Sequence, residues 1–167
     1  MSLYFGIPIM LIGAVLQSVW LEDVRIFGGR PDLVLLLVVT WAIIRGLNEG
    51  MVWGLVGGII SDLLVGGPVG LWTVSMVVAA FLAGQPWVQT LGPTSIRLAL
   101  MSALGTLVAH SVFIALMALL GYPIDPTWAY STVVGPAALL NFILSPFSFV
   151  FLVWVHRRSL GRSEVGL

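Results

Sequence analysis

The chain has 167 residues, of which 59% are hydrophobic and only 8% are charged, and its formal net charge is zero. Soluble domains carry about one quarter charged residues, so this composition excludes an ordinary soluble fold, and the balanced charge gives no basic field for nucleic acid. The lack of cysteine excludes disulfides and thiolate metal sites. We therefore expect one all-α integral membrane domain over residues 1–167.

Six apolar segments follow one another along the chain, and each ends at glycine, proline or a charged residue. They are Leu3–Leu21, Pro31–Ile44, Gly50–Val65, Gly70–Gly84, Arg97–Leu120 and Ser131–Val155. The first segment has neither a basic stretch before it nor a small-residue cleavage site. It is therefore interpreted as a retained span and not as a signal peptide.

The lengths of these segments differ, and this affects the predicted number of spans. The first, fifth and sixth reach the roughly 20 residues that a helix needs to cross a bilayer. The other three are shorter, so they must thin the bilayer, end below the headgroups or be shielded by neighbouring helices. The sequence predicts a compact bundle of six transmembrane helices, with five spans and one re-entrant hairpin as the alternative.

The arginines predict the orientation of the bundle. With six spans, the two termini share one side with Arg45, Arg97 and the three arginines of the C-terminal tail, whereas Arg25 and Arg30 fall on the other side. Because positive charge is enriched in cytoplasmic loops, both termini are predicted to be cytoplasmic. Residues 156–167 then form a short cytoplasmic tail.

The third segment carries a pattern that we call the glycine stripe: Gly50, Gly54, Gly58 and Asp62, each four residues apart. This spacing keeps the residues on one face of a helix, and glycine lets another backbone approach closely within a membrane. The first interpretation is helix packing within the chain. The alternative is a docking face for the helix of a partner protein.

Asp62 is a carboxylate in an apolar run, where a charge needs a partner. Because it lies shortly before Gly66-Gly67-Pro68, we expect a helix-end residue that helps to fix this turn. The alternative is a coupling or ligand-binding carboxylate inside the bundle.

His110 lies in the middle of the fifth segment, and Asn141 lies in the sixth, which also contains Pro136 and Pro146. The two polar side chains are expected to pair between helices, equally well as packing contacts or as a functional pair, and the two prolines are expected to kink the sixth helix. The only other histidine is at the far end of the chain, so no metal site is expected. No protease, hydrolase or P-loop signature is present, so no catalytic or cofactor-binding residue is assigned.

These features occur in an order that resembles the rod shape-determining protein family MreD. The resemblance covers nearly the whole chain and is densest from residue 30 to residue 84. It includes Trp41 and the arginine-rich tail, and otherwise depends on Arg30, Pro31, Asp32, Arg45, Gly50, Gly54, Gly58, Asp62, Gly66 and Gly70.

The resemblance implies a non-enzymatic scaffold in the bacterial inner membrane, within the machinery of cell elongation and peptidoglycan synthesis. Its main partner would be the membrane protein MreC, with MreB, RodA and a class B penicillin-binding transpeptidase nearby, and with lipid around it. The family is also similar in fold to the substrate-binding S-components of energy-coupling-factor transporters. Binding of a vitamin or metal is therefore the alternative function, although the short loop from residue 66 to residue 69 disfavours a ligand lid.

Overall fold

The computed structural model describes residues 3–19 and 28–160, and these residues form six helices with no strand among them. The first five are α1 (Leu3–Val19), α2 (Leu33–Arg45), α3 (Leu47–Val65), α4 (Leu71–Ala83) and α5 (Thr94–Leu119). A short 3-10 helix, Pro86–Thr90, connects α4 to α5. The sixth helix, α6, consists of an α-helical turn (Pro126–Ala129), a π-helical turn (Tyr130–Val134) and a long α-helix (Gly135–Leu160).

Helix α2 lies at the centre of the bundle and packs against each of the other five helices. Its residues from Val34 to Ile43 are all buried, which explains why its sequence is apolar on every face. At 13 residues it is only about 20 Å long. Neighbouring helices therefore surround α2 on every face, which is one of the three conditions expected for a short apolar segment.

Helices α2 and α3 form an antiparallel hairpin with a one-residue turn at Gly46. This residue has a φ of 85°, which favours glycine, and its N–H donates to the carbonyl of Ala42. The two helices approach each other closely beside the turn. A Cβ added at Gly50 would lie only 2.5 Å from the Cβ of Ala42, so this position requires glycine. One turn further from it, the indole rings of Trp41 and Trp53 stack at 4.5 Å. The hairpin is thus closed by glycine at the turn and by an aromatic pair beyond it.

The π-helical turn in α6 has a cause in the sequence. Proline has no N–H and its ring clashes with the preceding turn, so Pro136 does not continue regular α-helical hydrogen bonding. The chain widens by one residue instead, and the N–H of Gly135 donates to the carbonyl of Tyr130, five residues earlier. The sequence predicted a disturbance at Pro136, and the π turn is the form that it takes.

The two ends of the bundle differ in their charged residues. Gln89 donates to the carbonyl of Ile43 and accepts from the guanidinium of Arg97, so Arg97 lies at the same end as Arg45. We call this the Arg45 end. Arg30 precedes the start of α2 and therefore lies at the opposite end, which we call the Arg30 end.

The directions of α1 and α6 follow from their contacts with α2. Gln17 near the end of α1 accepts from the N–H of Val34 at 3.2 Å, so α1 begins at the Arg45 end. In α6, Asn141 contacts Asp32 and Ser148 contacts Thr40, so α6 runs parallel to α2 and ends at the Arg45 end. The beginning of α1 and the end of α6 therefore lie on the same side of the bundle.

Two helices of the described chain are long and apolar enough to cross a membrane, namely Thr94–Leu119 and Pro126–Val155. Helices α2 and α4 are apolar but have 13 residues each. The predicted end of the first segment, Leu21, lies outside the described residues. The other helix boundaries agree with the predicted segments to within a few residues, and the largest differences are at α6, which begins at Pro126 and ends at Leu160. This earlier start arises because Asp125 caps the helix by accepting from the N–H groups of Thr127 and Trp128.

Candidate functional site

Asp62 joins the end of α3 to the beginning of α4. Its carboxylate accepts four hydrogen bonds: from the N–H groups of Gly70, Trp72 and Thr73 at 2.9–3.1 Å and from the Thr73 hydroxyl at 2.6 Å. The side chain is 5% exposed. Asp62 thus satisfies the first turn of α4, whose own N-cap residue, Gly70, supplies no side-chain acceptor.

Asp62 lies near the end of α3, as the sequence predicted, but its hydrogen bonds reach past the predicted turn to the beginning of α4. The carboxylate accepts hydrogen bonds from Gly70, Trp72 and Thr73 instead of from the turn at residues 66–68. Gly66 ends α3 with a φ of 73°, and Gly70 precedes α4 with a φ of 100°. Both backbone conformations favour glycine, which accounts for these two residues of the family pattern.

The glycine stripe packs against helices of the same chain. A Cβ added at Gly54 would lie 2.9 Å from the carbonyl oxygen of Met76, and one at Gly58 would lie 2.3 Å from the Cα of Thr73, both in α4. Gly50 meets α2 at Ala42. Because α2 and α4 occupy this face, the helix of a partner protein has no access to it in this structure.

A buried polar network connects α2, α5 and α6 at the Arg30 end. The N–H of Asp32 donates to Asn141 Oδ1 at 3.1 Å, and Asn141 Nδ2 donates to Thr106 Oγ1 at 2.9 Å. The Asp32 carboxylate accepts from the N–H of Leu35 at 3.0 Å and caps α2. The side chains of Asp32, Thr106 and Asn141 are all at most 5% exposed. The network holds three helices in a fixed register.

The expected direct pair between His110 and Asn141 is not formed in the described structure. His110 Nδ1 lies 2.9 Å from the carbonyl oxygen of Thr106, one turn earlier in α5, and its ring contacts the Trp72 ring edge-on at 5.4 Å. A histidine in a helix satisfies one ring nitrogen locally in this way, and Asn141 finds its partners on α2 and Thr106 instead. Thr106 therefore connects the two residues indirectly.

Arg45 and Glu49 form an ion pair at 2.7 Å across the turn between α2 and α3. Both side chains are more than one third exposed. The pair lies at the surface of the Arg45 end, where it contributes little to stability. Arg45 thus lies at the boundary between α2 and α3.

An apolar groove runs along one side of the bundle, and we call it the α1–α6 groove. Its volume is about 270 Å³. Its floor is formed by Leu33, Leu36 and Leu37 of α2, and its walls by α1, including Gly13 and Leu16, and by α6. The large side chains Ile12 and Phe147 at its rim are 60% and 71% exposed. This is a long exposed apolar surface with almost no polar atom.

Two further cavities lie at the Arg30 end. The smaller, of about 140 Å³, is lined by eight residues, of which Gln17, Ser18, Arg30 and Ser61 are polar. The larger, of about 280 Å³, extends between α4, α5 and α6 and is lined mostly by apolar and aromatic side chains. Gln17, Arg30, Ser61 and Val65 line both cavities, which therefore adjoin.

No three histidine, aspartate or glutamate side chains come together within the described residues in an arrangement that could hold a metal ion. The two buried aspartates described above, Asp32 and Asp62, each bind the first turn of a different helix. The geometry that the structure does offer is one of packing surfaces and cavities.

The comparison with protein families identifies the chain. The family model for MreD, the rod shape-determining protein, matches residues 1–158. The chain belongs to the MreD family. The resemblance that the sequence suggested is thereby confirmed, and the family is one of membrane proteins that act in rod shape determination. No curated protein and no solved structure matched the chain.

Several residues that position these surfaces were not identified from the sequence. Trp72 and Thr73 are bound by Asp62 and line or flank the larger cavity. The signal available in the sequence was the glycine just before them, because Gly70 cannot cap α4 by itself. Gly57, which faces Val34 and Val38 of α2, was also missed, since it lies outside the four-residue spacing of the glycine stripe.

Proposed function

We propose that the chain is a non-enzymatic membrane scaffold for cell elongation that holds the single transmembrane helix of an MreC-like partner in the α1–α6 groove. The membership of the chain in the MreD family supports the role in rod shape determination. In this proposal MreB, RodA and a class B penicillin-binding transpeptidase are neighbours that the partner recruits, and the whole chain is one inner-membrane domain.

The proposed docking site is supported by a difference between two apolar surfaces, the glycine stripe, which is covered, and the α1–α6 groove, which is open. Helices α2 and α4 cover the glycine stripe, so α3 offers no face for a partner there. The α1–α6 groove is open and is lined by three helices, with exposed apolar side chains at its rim. Transmembrane helices associate through close van der Waals packing, and an open apolar groove between two helices suits one further helix.

The arrangement of the helix ends supports the proposed topology. The start of α1 and the end of α6 lie at the Arg45 end, together with Arg45 and Arg97. In a six-span bundle similar in fold to an S-component, this end faces the cytoplasm by the positive-inside rule. Tags at both termini are then inaccessible to protease added outside intact spheroplasts, and cleavage of either tag contradicts this topology.

The experiment for the docking site is co-purification of the partner with variants of the groove. Leu16→Trp fills the groove from α1, and we expect at least a tenfold loss of the MreC-like protein recovered in mild detergent. Leu100→Trp is the matched control, because Leu100 lies on α5 outside the groove and is 49% exposed. Equal recovery of the partner with both variants contradicts the docking site.

The S-component alternative predicts different partners. A chain of that kind co-purifies with a coupling membrane subunit and ATPases, and solute uptake depends on it. Recovery of those proteins, or normal rod shape after complete depletion of the chain, contradicts the scaffold function. Rounding of rod-shaped cells on depletion is the result that we expect.

A further inference from the structure

The two cavities at the Arg30 end contain polar groups that the packing of the bundle does not use. Arg30 is exposed and makes no hydrogen bond or ion pair within the part of the chain that the structure describes. Gln17 Oε1 accepts from the N–H of Val34, which leaves its amide nitrogen without a described partner. Ser61, which is 5% exposed, has no described hydrogen bond. All three residues line the junction between the cavities.

These three side chains present donors to the junction. A guanidinium carries five N–H donors in a planar fork that matches the oxygens of a phosphate or carboxylate, and the amide and hydroxyl add three more. Asp32 lines the larger cavity as well, but its carboxylate is 5% exposed and accepts from the N–H of Leu35. The junction therefore has the chemistry of an anion site.

The larger cavity continues from the junction as an apolar chamber. Trp72 stacks on Phe113 at 4.6 Å, and the two rings line the cavity together with Ile114 and Val133. Its volume of about 280 Å³ is close to the lower limit of about 300 Å³ for small-molecule sites. A chamber of this composition suits an aliphatic or prenyl portion of a ligand.

The π-helical turn of α6 forms one wall of the same chamber. Val133 and Val134 belong to this turn, and Ala129 precedes it. Single π turns inside α-helices are rare and occur frequently at functional sites. The π-helical turn and the unpaired donors of Arg30, Gln17 and Ser61 thus line the same cavity.

We propose that the two cavities form one binding site for an anionic amphiphile, with its acidic oxygens at Arg30, Gln17 and Ser61 and its apolar portion beside Trp72 and Phe113. The ligand is an acidic phospholipid, whose phosphate occupies the junction and whose acyl chain begins in the larger cavity. The site is separate from the α1–α6 groove, so it does not depend on the proposed docking of a partner.

The test is a lipid titration of the full chain, purified in detergent and freed of lipid, followed by native mass spectrometry. The probes are phosphatidylglycerol, phosphatidylcholine with the same acyl chains, and glycerol 3-phosphate. We expect one phosphatidylglycerol bound at least tenfold more tightly than phosphatidylcholine, and no retained glycerol 3-phosphate. Equal binding of the two lipids overturns the anion site, and equal binding of glycerol 3-phosphate overturns the apolar part.

Two pairs of variants locate the site. Arg30→Gln is expected to weaken phosphatidylglycerol binding at least tenfold, whereas Arg45→Gln removes the same charge at the other end and leaves it unchanged. Val133→Trp fills the larger cavity and is expected to cause a similar loss, whereas Val150→Trp, at a position 67% exposed on α6, is its control. Variants that bind phosphatidylglycerol as tightly as their controls overturn the location of the site. If Arg30→Gln does not fold, the titration of the wild-type chain with the three probes still tests the chemistry of the ligand.

Discussion

The seam between α3 and α4 and the α1–α6 groove are both apolar surfaces that contain glycine, yet they differ in how much space is left. In the seam, Gly54 and Gly58 meet the backbone of α4 directly, and Asp62 fixes the start of that helix. In the groove, Gly13 is itself buried, and a Cβ added there would lie 3.0 Å from Cδ1 of Leu37, whereas the rim side chains Ile12 and Phe147 are exposed. Helices of the same chain therefore fill the seam, whereas the α1–α6 groove keeps an open volume of about 270 Å³.

The spacing of small residues alone therefore does not identify a surface that binds a partner. A stripe of glycines predicts close approach of another helix, but the helix is supplied by the same chain when the connecting loop is short. Helix α4 begins within six residues of the end of α3, so it reaches the glycine stripe directly. The surface that is left for other proteins is the one that no neighbouring helix covers.

The largest effect is expected for Gly58→Leu in the seam. The new Cβ lies 2.3 Å from the Cα of Thr73, and backbone cannot move aside as a flexible side chain can. Overpacking of a core costs about 1–3 kcal/mol and more when the backbone must shift, so the folded yield in detergent should fall severely. Ile59→Leu on the neighbouring position, which is 45% exposed, is the control and should give normal yield.

Normal yield of Gly58→Leu would mean that α4 does not cover the seam as described. The seam would then be an open surface like the groove, and the glycine stripe would be available for a partner protein.

A smaller effect is expected for Asp62→Asn. One carboxylate oxygen accepts from Gly70 and Thr73 and the other from Trp72, so an amide places its NH₂ group against at least one N–H donor. An unsatisfied buried donor costs about 1–3 kcal/mol, so the midpoint of thermal unfolding should fall while the protein still inserts. A residue that only ended its helix would tolerate this substitution, but we do not expect Asp62 to tolerate it.

Asp125→Asn is the matched control for this prediction. Both N–H groups that Asp125 caps donate to the same oxygen, Oδ1, so the amide oxygen of asparagine can replace it. An equal fall in the midpoint for the two variants would show that the four hydrogen bonds of Asp62 contribute no more to stability than the two of Asp125.

The smallest effect is expected for Arg45→Gln. The pair of Arg45 and Glu49 is more than one third exposed on both sides, and exposed ion pairs contribute about 0–1 kcal/mol. The midpoint of unfolding should change little, both in low salt and in 0.5 M salt. A large fall would indicate that the turn at Gly46 depends on this pair and not on the packing of Gly50 against Ala42.

The helix boundaries could be predicted from the sequence because glycine, proline and charged residues end apolar helices for local reasons. The break at Arg45-Gly46 and the end of α3 at Gly66 are examples, since both glycines adopt a positive φ. The alignment of glycines on one face was also local information. The family could be identified from the order of these features, which the match over residues 1–158 confirmed.

The partners of the buried polar side chains could not be predicted in the same way. Asp32 and Asn141 are 109 residues apart, and nothing in the spacing of either residue indicates the other. His110 was expected to reach Asn141, but a carbonyl one turn earlier in its own helix was nearer. The groove and the cavities depend on which helices are neighbours around α2, and a single sequence does not contain that order.

The central position of α2 has a consequence for biogenesis. This helix is synthesised second, yet part of its surface is covered only by α5 and α6, and Asp32 must wait for Asn141 in the last helix. Until Asn141 has been synthesised, the N–H of Asp32 lacks the acceptor that it has in the complete bundle. Completion of the bundle is expected to be post-translational, and truncated chains that lack α6 should be favoured targets of membrane quality-control proteases.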